Sequence, residues 1–140
     1  MLKYIAYIKK ENNHFIVSFP KFPNINTYGE TLDDALLNAT EALNGSLEVD
    51  FERGFNFPKP DNKLSNRELE YLISVTPTIS LAYYLRLSRG KLTQAELAKK
   101  IGVSYQSYQK LEHPAKCNPT VKTLNKIAGA MGKELTIELK

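Results

Sequence analysis

The sequence predicts an α+β protein in two domains: a β-β-β-α-β sheet carrying one helix over residues 1–60, and an all-α domain closed by a C-terminal strand over residues 77–140. Residues 61–76 join them as a linker with a short strand of its own. Three observations carry this. Apolar residues recur at every second position near the N-terminus and at helical spacing after residue 78, and the two periods belong to strand and helix. A proline-rich, polar stretch from Pro58 to Asn66 interrupts the pattern. The charge divides at the same place. Residues 1–60 hold 6 Lys and Arg against 8 Asp and Glu (net −2), residues 61–76 hold 2 against 3 (net −1), and residues 77–140 hold 11 against 4 (net +7), giving the chain's +4.

In the first domain, Leu2, Tyr4, Ala6 and Ile8 alternate with Lys3, Ile5, Tyr7 and Lys9, which predicts a strand. Residues 11–13, Glu-Asn-Asn, supply a turn. Phe15, Val17 and Phe19 continue the alternation and complete a hairpin. Pro20 and Pro23 end that strand because proline has no N–H to donate. A third strand covers about Ile25–Tyr28. Thr31 then caps a helix, with Asp33 and Asp34 at its positive end and Leu32, Leu36, Ala39, Leu43 and Leu47 on one side. Gly54 stops it, and Gly45 marks either a bend or a close packing contact. Phe55 and Phe57 read as a further short strand before Pro58. Leu69, Tyr71, Ile73 and Val75 form the alternating strand of the linker.

The composition bounds the function. A hydrophobic fraction of 42% suits a globular chain. No apolar run reaches the roughly 18 residues of a membrane span, and the N-terminus has neither the apolar core nor the cleavage site of a signal peptide. The single Cys117 cannot form an internal disulfide, so the reducing cytoplasm is the expected location and no membrane partner is expected. A basic second domain fits a polyanion, because Lys and Arg displace counterions from phosphates.

The second domain contains a pattern with a specific geometry. Thr93 caps a helix running to Lys100, and Glu96 three residues on completes a capping box. Leu97, Ala98 and Ile101 give that helix an apolar face. Gly102 permits a left-handed turn, Val103 plugs the core, and Ser104 caps the next helix. Tyr108 and Leu111 face inward and leave Tyr105, Gln106, Gln109 and Lys110 outside. Over Leu85–Met131 the chain resembles the Cro and lambdoid-repressor (Xre-like) helix-turn-helix family: the Leu-Thr-Gln-Ala-Glu-Leu-Ala opening, the Gly-Val-Ser turn and the Lys-Leu-Glu end of the second helix all match. It departs at Tyr108, where that family has a small aliphatic residue, and at Pro114, where it has Gly.

The resemblance implies binding to double-stranded operator DNA. Gln94 would contact a phosphate from its helix N-terminus; Tyr105, Gln106 and Lys110 would face base edges; Ser107 would meet an edge or a phosphate. Ser104 and Gln109 complete the set of DNA-binding candidates. Gln suits adenine and Lys suits guanine. Lys122 and Lys126 on the following helix either reach phosphates or remain a solvated face. Such modules bind as dimers on two half-sites, so a homodimer or higher homo-oligomer is expected. The tail's Leu135, Ile137 and Leu139 fit two arrangements: an edge strand pairing with its copy, or pairing within the chain with Tyr71–Val75.

The first domain offers no catalytic set. His14 and His113, the only two histidines, lie in different domains. Asp33 and Asp34 are explained as first-turn charges, and Asp50 lies about four helical turns away, so no metal site and no cofactor is implied. No zinc-ligand spacing, phosphate-cradling glycine loop or nucleophile triad is present.

The motifs instead resemble HicB antitoxins across residues 1–60: a hairpin ending in Phe-Pro-Lys-Phe-Pro, a Gly-Glu-Thr-Leu-Asp-Asp-Ala turn into the helix, and a closing Pro-Lys-Pro. Asn24 stands where that family has Gly. The resemblance implies a degenerate RNase H-like fold without nuclease activity. It also implies a HicA-like toxin partner, a small basic ribonuclease of double-stranded-RNA-binding type that acts through a histidine. The complete reading is an antitoxin, not an enzyme, that neutralises an mRNA interferase and represses its own operon. Toxin-binding candidates are the acids Glu30, Asp33, Asp34, Glu41, Glu48 and Glu52. The alternative is a stand-alone transcriptional regulator whose first domain senses a small ligand.

Overall fold

The computed structural model describes residues 2–66 and 68–140, which fall into two compact units, one ending at Ser80 and one beginning at Leu81.

The first unit is a four-stranded antiparallel sheet with one helix against it. Strands β1 (Lys3–Glu11), β2 (His14–Phe19), β3 (Phe22–Gly29) and β4 (Glu70–Ser74) lie in the order β3-β2-β1-β4, and helix α1 spans Leu32–Glu52. The β1–β2 hairpin turns through Asn12 (φ 48°) and Asn13 (φ 66°), positive angles that Asn tolerates better than most residues. Its register sets Tyr7 opposite Ser18 and Ile8 opposite Val17. One face of the sheet therefore presents Tyr4, Ala6, Ile8, Val17, Phe19, Ile25 and Ile73, all buried. Ala35, Ala39, Leu43, Leu47 and Phe51 bury the matching face of α1 at four-residue spacing.

Gly29 ends β3 against the first turn of α1, where a Cβ would collide with the backbone of Asp34 and Ala35. Gly45 is different: a Cβ there would meet open space, so close packing does not explain it. β3 runs from Phe22, earlier than the prolines suggest. It is an edge strand, where proline is tolerated, and Pro23 falls in the irregular stretch between the Phe19–Phe22 and Ser18–Asn26 pairs.

Three sequence expectations are corrected. Phe55 and Phe57 form no strand. Phe57 packs on Phe51, and the Tyr4 hydroxyl donates to the Pro58 carbonyl (2.8 Å). Pro58 and Pro60 lack the N–H groups a ladder needs, so Asp61 does the pairing. Its N–H donates to Lys3 O (2.9 Å) and its carboxylate accepts from Ile5 N–H (2.9 Å).

The second correction concerns residues 61–76, expected as a linker. The strand within them is β4, an edge of the first unit's sheet, with Tyr4 opposite Ile73 and Ala6 opposite Tyr71. Buried Asn44 ties its end to α1: the amide donates to Ser74 O (3.1 Å) and accepts from Thr76 N–H (2.8 Å). The first unit thus runs past residue 60.

The third correction is the C-terminal strand. Residues 133–140 adopt no strand, and the pairing with Tyr71–Val75 does not form. The second unit is otherwise built of helices and offers the tail's alternating residues no strand to pair with.

The second unit holds the part of α2 (Pro77–Arg89) after Ser80, then α3 (Gln94–Ile101), α4 (Tyr105–Leu111) and α5 (Val121–Ala130). Leu85, Leu97, Ala98, Ile101, Tyr108, Leu111 and Ile127 form its core, with Leu81, Val103, Leu124 and Met131 packed against them.

Candidate functional site

Helices α3 and α4 are built by their caps. The Thr93 Oγ1 accepts from Glu96 N–H (3.1 Å) while the Glu96 carboxylate accepts from Thr93 N–H (3.2 Å). Gly102 closes α3 at φ 87°, ψ 33°, the left-handed conformation that costs a non-glycine residue most. The chain then re-enters a helix after only Val103 and Ser104. Ser104 Oγ accepts from Ser107 N–H (3.1 Å) and donates to Ser107 Oγ (2.8 Å). This is a helix-turn-helix, and the turn fixes the direction of α4 relative to α3.

Packing decides which residues α4 shows. At about 100° per residue, Tyr105, Gln109, Gln106 and Lys110 occupy one arc of roughly 140°, and Tyr108 and Leu111 the other side. Tyr108 is fully buried and Leu111 nearly so, while Tyr105, Gln106, Ser107, Gln109 and Lys110 are exposed. Gln94, the first residue of α3, is half-buried. Seven sequence-predicted residues are thus brought to the two helix starts and the outer arc of α4, although Ser104 is engaged as a cap.

One feature of this framework has no simple period in the sequence. Arg89 at the end of α2 donates to Glu112 just beyond α4, Nε to Oε2 at 2.8 Å and Nη2 to Oε1 at 3.1 Å. Its third contact, Nη1 to Leu92 O (2.7 Å), ties down the loop before α3. Arg86 lies 4.0 Å from the same carboxylate. Bonding to Glu112 raises the proton affinity of Arg89, whereas burial lowers that of Arg86. The Tyr108 hydroxyl makes no well-directed hydrogen bond, and burial pushes its pKa well above the ordinary phenol range, with Glu112 adding to the effect. The signal available in the sequence was Glu112 itself, an acid closing a helix that otherwise carries only Lys110.

The electrostatics favour a polyanion. Residues 81–140 carry 11 Lys and Arg against 4 Asp and Glu. Two of those four acids are occupied, Glu112 by Arg89 and Glu96 by its capping box.

In the first unit, Glu30, Asp33, Asp34, Glu41 and Glu52 are exposed and Glu48 is half-buried. Asp34, Glu41, Glu48 and Glu52 fall within about 40° of one another around the α1 axis. They form a stripe spread along a helix of 21 residues rather than one cluster. Among the described residues, no group of three His, Cys, Asp or Glu is gathered closely enough to hold a metal ion. No described helix is long and apolar enough to cross a membrane. Burial raises the pKa of the Cys117 thiol, which disfavours a reactive thiolate.

Two family models match. Residues 3–79 match the HicB-like antitoxin of bacterial toxin–antitoxin system, and residues 83–137 match a helix-turn-helix. Antitoxin HicB 1 of Photorhabdus laumondii subsp. laumondii is 32% identical over 133 residues, 93% of this chain and 81% of that one. Antitoxin HicB of Escherichia coli K12 is 31% identical over 127 residues, 88% of each chain. The crystal structure of the N-terminal domain of Burkholderia pseudomallei antitoxin HicB aligns with 54% of this chain and 99% of its own, at a TM-score of 0.46 and 25% identity. A HicB-like model covering more than half the chain, and a relative 32% identical along most of both sequences, agree with the β-sheet unit and the helix-turn-helix: the protein belongs to the HicB antitoxin family.

Proposed function

We propose that this chain is an antitoxin with two tasks, neutralising a HicA-like mRNA interferase through its first unit and repressing its own operon through the second. The observation that carries the reading is the sharp division of α4. Tyr108 and Leu111 anchor it, while Tyr105, Gln106, Ser107, Gln109 and Lys110 are left in water on a unit of strongly positive charge. Every surface helix shows water a polar arc; here the arc belongs to the second helix of a helix-turn-helix on a basic unit, which suits it to a polyanion. In this reading Tyr105, Gln106 and Lys110 face base edges, Ser107 meets an edge or a phosphate, Gln94 meets a phosphate, Gln109 completes the DNA-facing arc, and Ser104 holds the helix start in position.

The acids Glu30, Asp33, Asp34, Glu41, Glu48 and Glu52 are the proposed toxin contacts, suited to a partner of opposite charge. The DNA-bound form is proposed to be a homodimer on two half-sites. Ile137 and Leu139 are 60% and 96% exposed, and with half-buried Leu135 they offer the partner copy an apolar strip.

Two measurements test the reading. The full chain is co-expressed with a HicA-like toxin encoded in its own genome: growth is rescued and a complex co-elutes. Binding to the promoter DNA of its own operon is compared with random duplex by anisotropy: the promoter binds at least about 10³-fold tighter. Toxicity that persists despite co-expression, with no complex formed, refutes neutralisation. Equal affinity for the two duplexes refutes repression through sequence-specific binding.

A further inference from the structure

Helix α4 holds one side-chain bond on its exposed arc that its packing does not require. Gln109 Nε2 donates to the Tyr105 hydroxyl at 2.9 Å, one helical turn away on the exposed arc. Neither residue belongs to the core, and Tyr105 is 44% exposed. An i,i+4 side-chain bond on an exposed helix face adds little to the stability of the fold. Its effect is on what Gln109 can offer a ligand.

A primary amide has two N–H donors and one carbonyl acceptor. Adenine presents one donor and one acceptor in the major groove, N6–H and N7; guanine presents two acceptors, O6 and N7. With one N–H committed to Tyr105, Gln109 retains one N–H and its carbonyl. That remaining pair fits adenine. It cannot satisfy both guanine acceptors, and its carbonyl would face O6 with no proton between them. Tyr105 thus removes the donor through which a free glutamine would tolerate guanine, and discrimination improves by penalising the wrong base. It also sets the amide in place before binding, which lowers the entropy lost on DNA. The Tyr105 hydroxyl keeps its own proton for a nearby acceptor.

We propose that Tyr105 and Gln109 act as one reading unit for an A·T base pair, with Gln109 contacting adenine and Tyr105 serving as its positioning residue. The proposal rests on the DNA-reading role of α4 stated above and adds the base and the division of labour.

The test uses the full chain. A preferred duplex is selected from a randomised pool, and the position read by Gln109 is identified as the one where Gln109→Ala loses preference. Affinity for A and for G at that position is measured by fluorescence anisotropy for wild type, Tyr105→Phe, Gln109→Ala and the double variant. Phe keeps the ring and removes only the hydroxyl, and all four proteins are compared by circular dichroism. Wild type is expected to favour A over G about tenfold there, and Tyr105→Phe to narrow this to about threefold, chiefly by strengthening binding to G. Gln109→Ala abolishes the preference, and adding Tyr105→Phe to it changes nothing further at that position. Undiminished A-over-G preference in Tyr105→Phe, additive effects in the double variant, or no position whose preference depends on Gln109 each overturns the reading unit while leaving DNA recognition standing. Absence of any sequence preference in wild type overturns both.

Discussion

Arg89 and Glu112 hold the end of α2 to the residue just past α4 through two hydrogen bonds of 2.8 and 3.1 Å. The Glu112 side chain is 2% exposed and that of Arg89 20%. Removing Arg89 takes both of these hydrogen bonds from a poorly solvated carboxylate and leaves Arg86, 4.0 Å away, as its nearest cation. Arg89→Met is expected to destabilise the second unit by about 3 kcal/mol, the low end for a buried pair because Arg89 keeps some contact with water. Urea unfolding followed on the second unit's helices measures this. The double variant Arg89→Met/Glu112→Leu recovers part of the loss. A single-variant change under about 0.5 kcal/mol contradicts the assigned role, since that is the range of ordinary surface substitutions.

Asn44 binds α1 to the end of β4 through both sides of its amide. Asn44→Leu leaves Ser74 O and Thr76 N–H without those partners, at a cost of about 1–3 kcal/mol. Hydrogen exchange localises the effect: protection falls at residues 70–76 and is retained across the β1–β2 hairpin. Uniform loss across the sheet is the contrary result.

Glu70 gives the first unit an acid sensitivity. Its carboxylate accepts from Ser65 Oγ (2.7 Å) and Ser65 N–H (2.9 Å), and these bonds lower its pKa below the ordinary 4.5. A depressed carboxylate stabilises the fold above its unfolded pKa, and that contribution is lost as pH falls through the lower, folded value. The expected window lies below pH 4.5. Ser65→Ala removes the hydroxyl bond, so the Glu70 side-chain carbonyl resonance is expected to titrate at higher pH than in wild type. An unchanged midpoint would show that the Ser65 hydroxyl does not set it.

Ser104 distinguishes a cap from a contact. Its hydroxyl accepts from Ser107 N–H and donates to Ser107 Oγ. Ser104→Ala is expected to cost about 1 kcal/mol of stability, and Ser104→Asn, which can still cap, much less. If Ser104→Ala instead leaves the thermal midpoint unchanged and weakens only DNA binding, the hydroxyl acts on DNA directly.

Much of the candidate site was legible from local rules. Caps depend on a few adjacent residues, and Thr93, Glu96, Gly102 and Ser104 stand at the spacings those rules require. The inward positions of α4 follow from helical period alone. The Tyr105–Gln109 bond was within reach as an i,i+4 pair, but which exposed neighbours bond to one another depends on rotamers, which the sequence does not state. The Arg89–Glu112 pair spans 23 residues and has no periodic signature.

The sheet divides in the same way. The alternation of residues 69–75 identified a strand, because period two is a property of the strand itself. It did not say where that strand would pair. Only the tertiary structure placed it beside β1 as β4, with Asn44 and Val75 holding its end, and left the equally alternating Leu135, Ile137 and Leu139 without a ladder. The sequence by itself determined the two kinds of unit, the helix caps and the face of α4 that meets water. The tertiary structure decided the strand partners, the true extent of the first unit and the ion pair behind α4. The physical reason is range: caps and periods act within one or two turns of chain, whereas strand pairing and buried charge pairs are settled by whichever distant groups remain unsatisfied when the core closes.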